Sequence, residues 1–189
     1  WDNEATRARP LLPQTSGNFR RVAEARVALI LRERDAPRHV SGMPRSLQYH
    51  PALLYARINY LKKKGEDRAA ESLLRQLPKR VPYGAKWWPL WRYYAREAIG
   101  EKRYRDAYEM LRPVTEAEQG EQAQLFWLRG WVLLQFLNNA SEAYKDFYTF
   151  YKHVGTPISK ARGAFWAGLA AQKNGNGTIA RNWFSEGAR

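Results

Sequence analysis

Gly175-Asn176-Gly177-Thr178-Ile179-Ala180 has the spacing of a dinucleotide-binding turn. That chemistry needs a strand before the turn, so that the backbone delivers a pyrophosphate to a helix N-terminus. A stretch of helical period precedes it here, so the segment reads as a helix-to-helix turn and no cofactor is expected. The histidines His39, His50 and His153 are too far apart for a local metal site, and the chain has no cysteine. No Gly-x-Ser-x-Gly elbow offers a serine nucleophile. Glycoside cleavage needs only two carboxyls facing across a cleft, and Glu71, Glu97, Glu116 and Glu142 are available. Each has polar or charged neighbours at helix-compatible positions, where solvated pairing is the expected use. Glu71-Ser72 sits in Ala70-Glu71-Ser72-Leu73-Leu74, an amphipathic helix, and reads as surface. No catalytic residue and no metal ligand is assigned.

Binding chemistry is better represented. The runs Lys62-Lys63-Lys64 and Lys79-Arg80, with Arg92, Arg96, Lys102, Arg103 and Arg105, are candidates for a face that holds a polyanion. Their ordinary use would be a solvated rim at helix C-termini. Trp87 and Trp88 could add a stacking platform for sugars or bases, whereas Trp91 and Tyr94 fall at core spacing. The charge balance agrees: 32 Lys and Arg oppose 18 Asp and Glu, a formal net charge of +14. Residues 1–100 hold 20 basic and 9 acidic side chains, and residues 101–189 hold 12 and 9. A nucleic acid, an anionic membrane or an acidic cell-wall polymer would each suit such a balance. Nucleic acid is expected to bind only nonspecifically, through its phosphates.

Helical periodicity positions these side chains. In 51–64, Leu54, Ile58 and Leu61 share one face. Gly65 then reads as a left-handed stop, and a helix with Ala70, Leu73, Leu74 and Leu77 runs to Pro78. The pattern recurs, giving antiparallel hairpins at about 51–77, 89–112, 122–153 and 157–188. Pro89 and Pro157 read as first helical residues. A first helix is expected over 19–34, and 36–50, with Pro37, Gly42 and Pro44, reads as a long loop. The period in the mid-thirties is that of a two-helix tetratricopeptide-like unit. The expected fold is all-α, an α-solenoid of stacked hairpins forming a single superhelical domain over 1–189. At 44% hydrophobic and 14% aromatic, the 189 residues can bury a core. The longest stretch free of charged residues, Gly130 to Ser141, is too short to span a membrane, which takes about 20 apolar residues.

Several segments, in order, resemble the soluble lytic murein transglycosylases. They include Ala25-Arg26-Val27-Ala28-Leu29, Val40 through Pro44 with Pro51-Ala52-Leu53, and Trp87-Trp88-Pro89-Leu90-Trp91-Arg92 with Ala95-Arg96-Glu97-Ala98. Gly130-Trp131-Val132-Leu133-Leu134 and Thr156-Pro157-Ile158-Ser159-Lys160-Ala161-Arg162, with Phe165-Trp166-Ala167-Gly168, complete the set. That resemblance implies a superhelical scaffold of paired helices. It also implies a periplasmic parent enzyme, acting in cell-wall turnover, that cuts the β-1,4 bond between N-acetylmuramic acid and N-acetylglucosamine without water. Its products would carry 1,6-anhydromuramoyl ends.

In that family one glutamate, followed by serine, serves as acid and then base in a C-terminal lysozyme-like domain bearing a Gly-Leu-Met-Gln motif. This sequence has no such motif, and Glu71-Ser72 lies in the helical region. The chain therefore reads as the scaffold without its catalytic domain, inactive alone, with that domain expected beyond residue 189. Trp1 rather than Met opens the chain, so an export signal is expected upstream. The implied partners are peptidoglycan and the parent's own catalytic domain. The alternative is a basic helical-repeat adaptor for a protein or nucleic-acid partner.

Overall fold

The computed structural model describes residues 2–77, 80–81, 84–112, 114–115 and 119–188. Their regular elements are helices apart from one two-residue parallel pairing, and they divide into two compact units, 1–78 and 79–189.

In the first unit, α1 (Asp2–Ala8) and a 3-10 helix (Arg9–Gln14) lead into α2 (Gly17–Leu31). Short α3 (Ala36–Ser41) and α4 (Arg45–Gln48) follow, then α5 (Pro51–Lys63) and α6 (Asp67–Arg75). Helix α2 is central, packing on α1, α3 and α5, while α5 pairs with α6. Val22, Ala25, Ala28 and Leu29 of α2 meet Ala36, Val40, Leu53 and Ala56 in one core.

The first unit departs from expectation in two places. The first long helix starts at Gly17 and stops at Leu31, where Arg32 takes a left-handed conformation (φ 58°). The expected loop over 36–50 holds α3 and α4, because Pro37 falls in the first turn of α3, where its missing N–H costs nothing. Ala36 and Val40, one turn apart, anchor α3 in the core.

The second unit opens with β1 (Arg80–Val81), α7 (Gly84–Gly100) and α8 (Tyr104–Met110). Strand β2 (Val114–Thr115) pairs in parallel with β1, Arg80 opposite Val114. Then come α9 (Gln119–Gln135), α10 (Ala140–His153), α11 (Pro157–Lys173) and α12 (Gly177–Gly187). Each of α9 to α12 packs on the next in sequence, and α9 also meets α7 and α8.

Helix α11 begins at Pro157, with the Thr156 hydroxyl accepting the Ser159 backbone N–H. Helix α9 starts three residues before the expected Gln122. Helix α7 starts before Pro89 and carries it internally. Stacking of the buried Trp87 on Trp91 one turn later (ring centroids 6.1 Å apart) favours helix across the proline.

The hairpins close tightly where glycine faces an aromatic ring. A Cβ on Gly168 of α11 would lie 2.6 Å from Cε1 of Phe184 on α12. Gly168→Ala is therefore expected to cost about 1–3 kcal/mol by overpacking, measured by urea unfolding. Trimming the ring with Phe184→Leu in the same chain should recover part of that loss.

A candidate anion-binding groove

Three helices of the second unit face one groove of about 540 Å³. Helix α7 contributes Trp88, Arg92 and Arg96, spaced four apart and so on one stripe. Helix α9 contributes Gln124, Trp127 and Leu128, and α11 contributes Arg162 and Trp166, again four apart. Among the described residues, neither Asp nor Glu lines the groove.

Arg162 is the most constrained of the three cations. Its guanidinium carbon sits 3.8 Å from the centre of the Trp127 ring and 5.2 Å from that of Phe150. Its Nε is buried without a hydrogen-bond acceptor, as is Nε1 of Trp127. Burial pushes the Arg162 guanidinium below its ordinary pKa. The indole face returns part of that cost as cation–π attraction.

The floor beneath it is a set of interlocked rings. Trp127 meets Trp166 edge-on at 6.0 Å and stacks with Trp131 at 6.3 Å, while Trp166 stacks on Phe147 at 5.6 Å. Phe147 is fully buried, so this floor continues into the core. An aromatic base carrying Arg162, with Arg92 and Arg96 lining the same groove, suits a flat anion. Guanidinium forks match carboxylate oxygens in pairs, and indole faces stack on rings or sugar faces.

Of the positions expected from sequence, Trp88, Arg92 and Arg96 come together here. Trp87 faces inward, 3% exposed, so it belongs to the core rather than to a platform. Lys102 is exposed in the turn after α7, and Arg103 is engaged by Glu101 at 2.7 Å and Asp106 at 2.8 Å. Arg105 is exposed on α8 beside Tyr108 and Glu109, in a separate depression. Lys62, Lys63 and Lys64 end α5 and belong to the first unit. Lys64 pairs with Glu66 at 2.7 Å, which holds its ammonium above the ordinary pKa. Lys79 lies outside the described residues, as does the Arg80 side chain.

The other sequence signals resolve simply. The turn at Gly175 joins α11 to α12: Gly175 takes φ +79°, which a side chain would strain, and Asn176 caps α12 by accepting from Ile179 N–H. Glu71, expected at the surface, is 3% exposed and lies 3.6 Å from Arg75. Among the described residues, no three His, Asp or Glu side chains gather as metal ligands, and no helix is long and apolar enough to cross a membrane.

Sequence reasoning assigned no site role to Arg162 or Trp127. The available signal was the four-residue spacing, Trp88-Arg92-Arg96 on one helix and Arg162-Trp166 on another. The chain matches no protein-family model, no curated protein and no solved structure.

Proposed function

We propose that this chain is the helical scaffold region of a peptidoglycan lytic transglycosylase, and that its second unit holds an anionic glycan strand. In this reading the hairpins α7/α8, α9/α10 and α11/α12 of the second unit stack as tetratricopeptide-like repeats of a solenoid. The solenoid positions a separate catalytic domain in the periplasm, and the chain alone cuts nothing. The ordered segments that resemble that family support the parentage.

The observation that carries the binding role is the groove itself, lined by Arg92, Arg96 and Arg162 beside Trp88, Trp127 and Trp166 and, among the described residues, by no Asp or Glu. Peptidoglycan presents sugar faces for the indoles and lactyl-linked peptides with free carboxylates for the guanidiniums. Net charge of +14 would gather such a polymer from a distance.

The test is co-sedimentation of the 189-residue chain with purified sacculi. Binding is expected at low salt, weakening as the screening length shrinks from about 30 Å at 0.01 M to about 10 Å at 0.1 M. The sacculi should release no anhydromuropeptides. A chain that stays in the supernatant at low salt, or that cleaves the glycan, overturns the proposal.

A further inference from the structure

The groove of the second unit is lined by one neutral polar side chain that anion binding leaves unused. Gln124 is the single polar residue of the α9 run Ala123-Gln124-Leu125-Phe126-Trp127-Leu128. It lines the groove with Trp127 and Leu128, three and four residues on, so the three share one face of the helix. Gln124 is half-buried, and among the described residues its amide makes no hydrogen bond, yet neither amide atom is sealed from solvent. The amides of Gln48 and Gln76, by contrast, are spent on backbone carbonyls at 2.9 and 3.0 Å.

A primary amide offers N–H donors and a carbonyl acceptor without charge. A carboxylate would use only the donors, and it is better served by Arg92 and Arg96. Both are exposed and make no ion pair among the described residues. An acetamido group can use either half of the Gln124 amide, since its carbonyl accepts and its N–H donates. Leu128, one turn on, gives the groove an apolar edge for the acetamido methyl. An unsubstituted amine on the same sugar would instead bring an ammonium into a groove lined by three guanidiniums, a like-charge contact.

We propose that Gln124 makes the groove selective for N-acetylated glycans: its side-chain amide hydrogen-bonds the acetamido group, whose methyl lies against Leu128. This rests on the glycan reading of the groove and adds to it the substituent that is read. Arg92, Arg96 and Arg162 hold carboxylates, Trp88 and Trp166 meet sugar faces, and Gln124 sets which sugars are accepted.

NMR of the ¹⁵N-labelled 189-residue chain tests it, with the Gln124 side-chain amide signals identified by their loss in Gln124→Met. A chitin oligosaccharide should shift those signals saturably. It should bind about tenfold more tightly than a cello-oligosaccharide of equal length, which has the same β-1,4 backbone and a hydroxyl in place of each acetamido group. The N-deacetylated chitin oligosaccharide, carrying ammonium groups, should bind more weakly than either. Gln124→Met, followed by the backbone amide shifts of α9, should weaken chitin binding about tenfold and leave the cello-oligosaccharide unchanged.

Equal binding of the chitin and cello-oligosaccharides, or a preference that survives Gln124→Met, overturns the inference, while continued binding to sacculi leaves the glycan reading standing. A blocked acidic peptide that depends on Gln124 as strongly as chitin does would assign the amide to a peptide linkage and overturn the acetamido assignment. If sacculi and both neutral oligosaccharides fail to bind the parent chain, the glycan reading falls and the inference falls with it. Should Gln124→Met fail to fold, chitin against cello-oligosaccharide on the parent chain decides alone.

Discussion

Asp146→Ala is expected to destabilise the second unit by about 3–5 kcal/mol, the largest effect of any single substitution considered for this chain. Asp146 of α10 and Arg129 of α9 form a two-pronged pair, Nε to Oδ2 at 2.8 Å and Nη2 to Oδ1 at 2.5 Å. Their side chains keep only 8% and 15% of their surface exposed. Burial pushes the Asp146 carboxyl up, and the Arg129 hydrogen bonds, the next influence, hold it back. Desolvation works against the Arg129 charge, yet the bonds to Asp146 leave its pKa above the ordinary value.

Arg129 also donates to the Leu111 carbonyl at 3.4 Å, just past α8, and lies 5.1 Å from the Phe126 ring centre. It therefore ties α8, α9 and α10 together. Truncating Asp146 leaves a guanidinium buried and unpaired, which costs more than the pair itself contributes. The double change Arg129→Met/Asp146→Leu should recover most of the loss, because it removes both buried charges. Seven of the eight tryptophans lie in the second unit, so Trp fluorescence during urea unfolding reads this unit directly. A loss under about 1 kcal/mol, the range of an exposed pair, would show that the pair is solvated in solution.

That pair marks where the sequence stops being legible. Helix faces were readable one at a time. Leu54 and Ile58 of α5 are fully buried, as their spacing predicts, and so are Ala70 and Leu74 of α6. Proline as a helix start read correctly at Pro157 but not at Pro89, which lies inside α7, and glycine past a helix end read correctly at Gly175. Such signals are local, carried by residues within one or two turns.

Arg129 and Asp146 stand 17 residues apart on different helices, and nothing in either helix alone says that they meet. Glu71 was misread for a related reason. It lies about 100° around the helix from Ala70, at the edge of the apolar stripe, where the neighbouring helix decides its burial. Helices α3 and α4 were missed because six and four residues are too few to establish a period. The groove combines both cases. Its charged stripe on α7 is local and was found, whereas its third cation arrives from α11, some seventy residues later.

The groove's own test has the largest effect on binding. Replacing Arg92, Arg96 and Arg162 together by glutamine should weaken sacculus binding about a hundredfold or more, since each hydrogen bond to a charged partner is worth roughly 1.5–3 kcal/mol. The change lowers the formal charge from +14 only to +11, so bulk attraction survives largely intact. A collapse of binding after so small a change in net charge would assign it to these three side chains. A triple variant that sediments like the parent would instead assign it to the chain's diffuse charge.

Arg162 then separates charge from shape. Arg162→Lys keeps the positive charge but removes the planar fork and much of the stacking on Trp127. Arg162→Met keeps an apolar stem against that ring without charge. If the groove reads carboxylates by paired hydrogen bonds, both variants lose about tenfold, and salt still weakens what remains. If it senses charge alone, lysine behaves as arginine and only methionine fails. The same comparison made with neutral chitin oligosaccharides isolates the indoles. Those sugars offer faces for Trp88 and Trp166 but no carboxylate, so their weak binding should be insensitive to all three arginines and lost in Trp88→Ala.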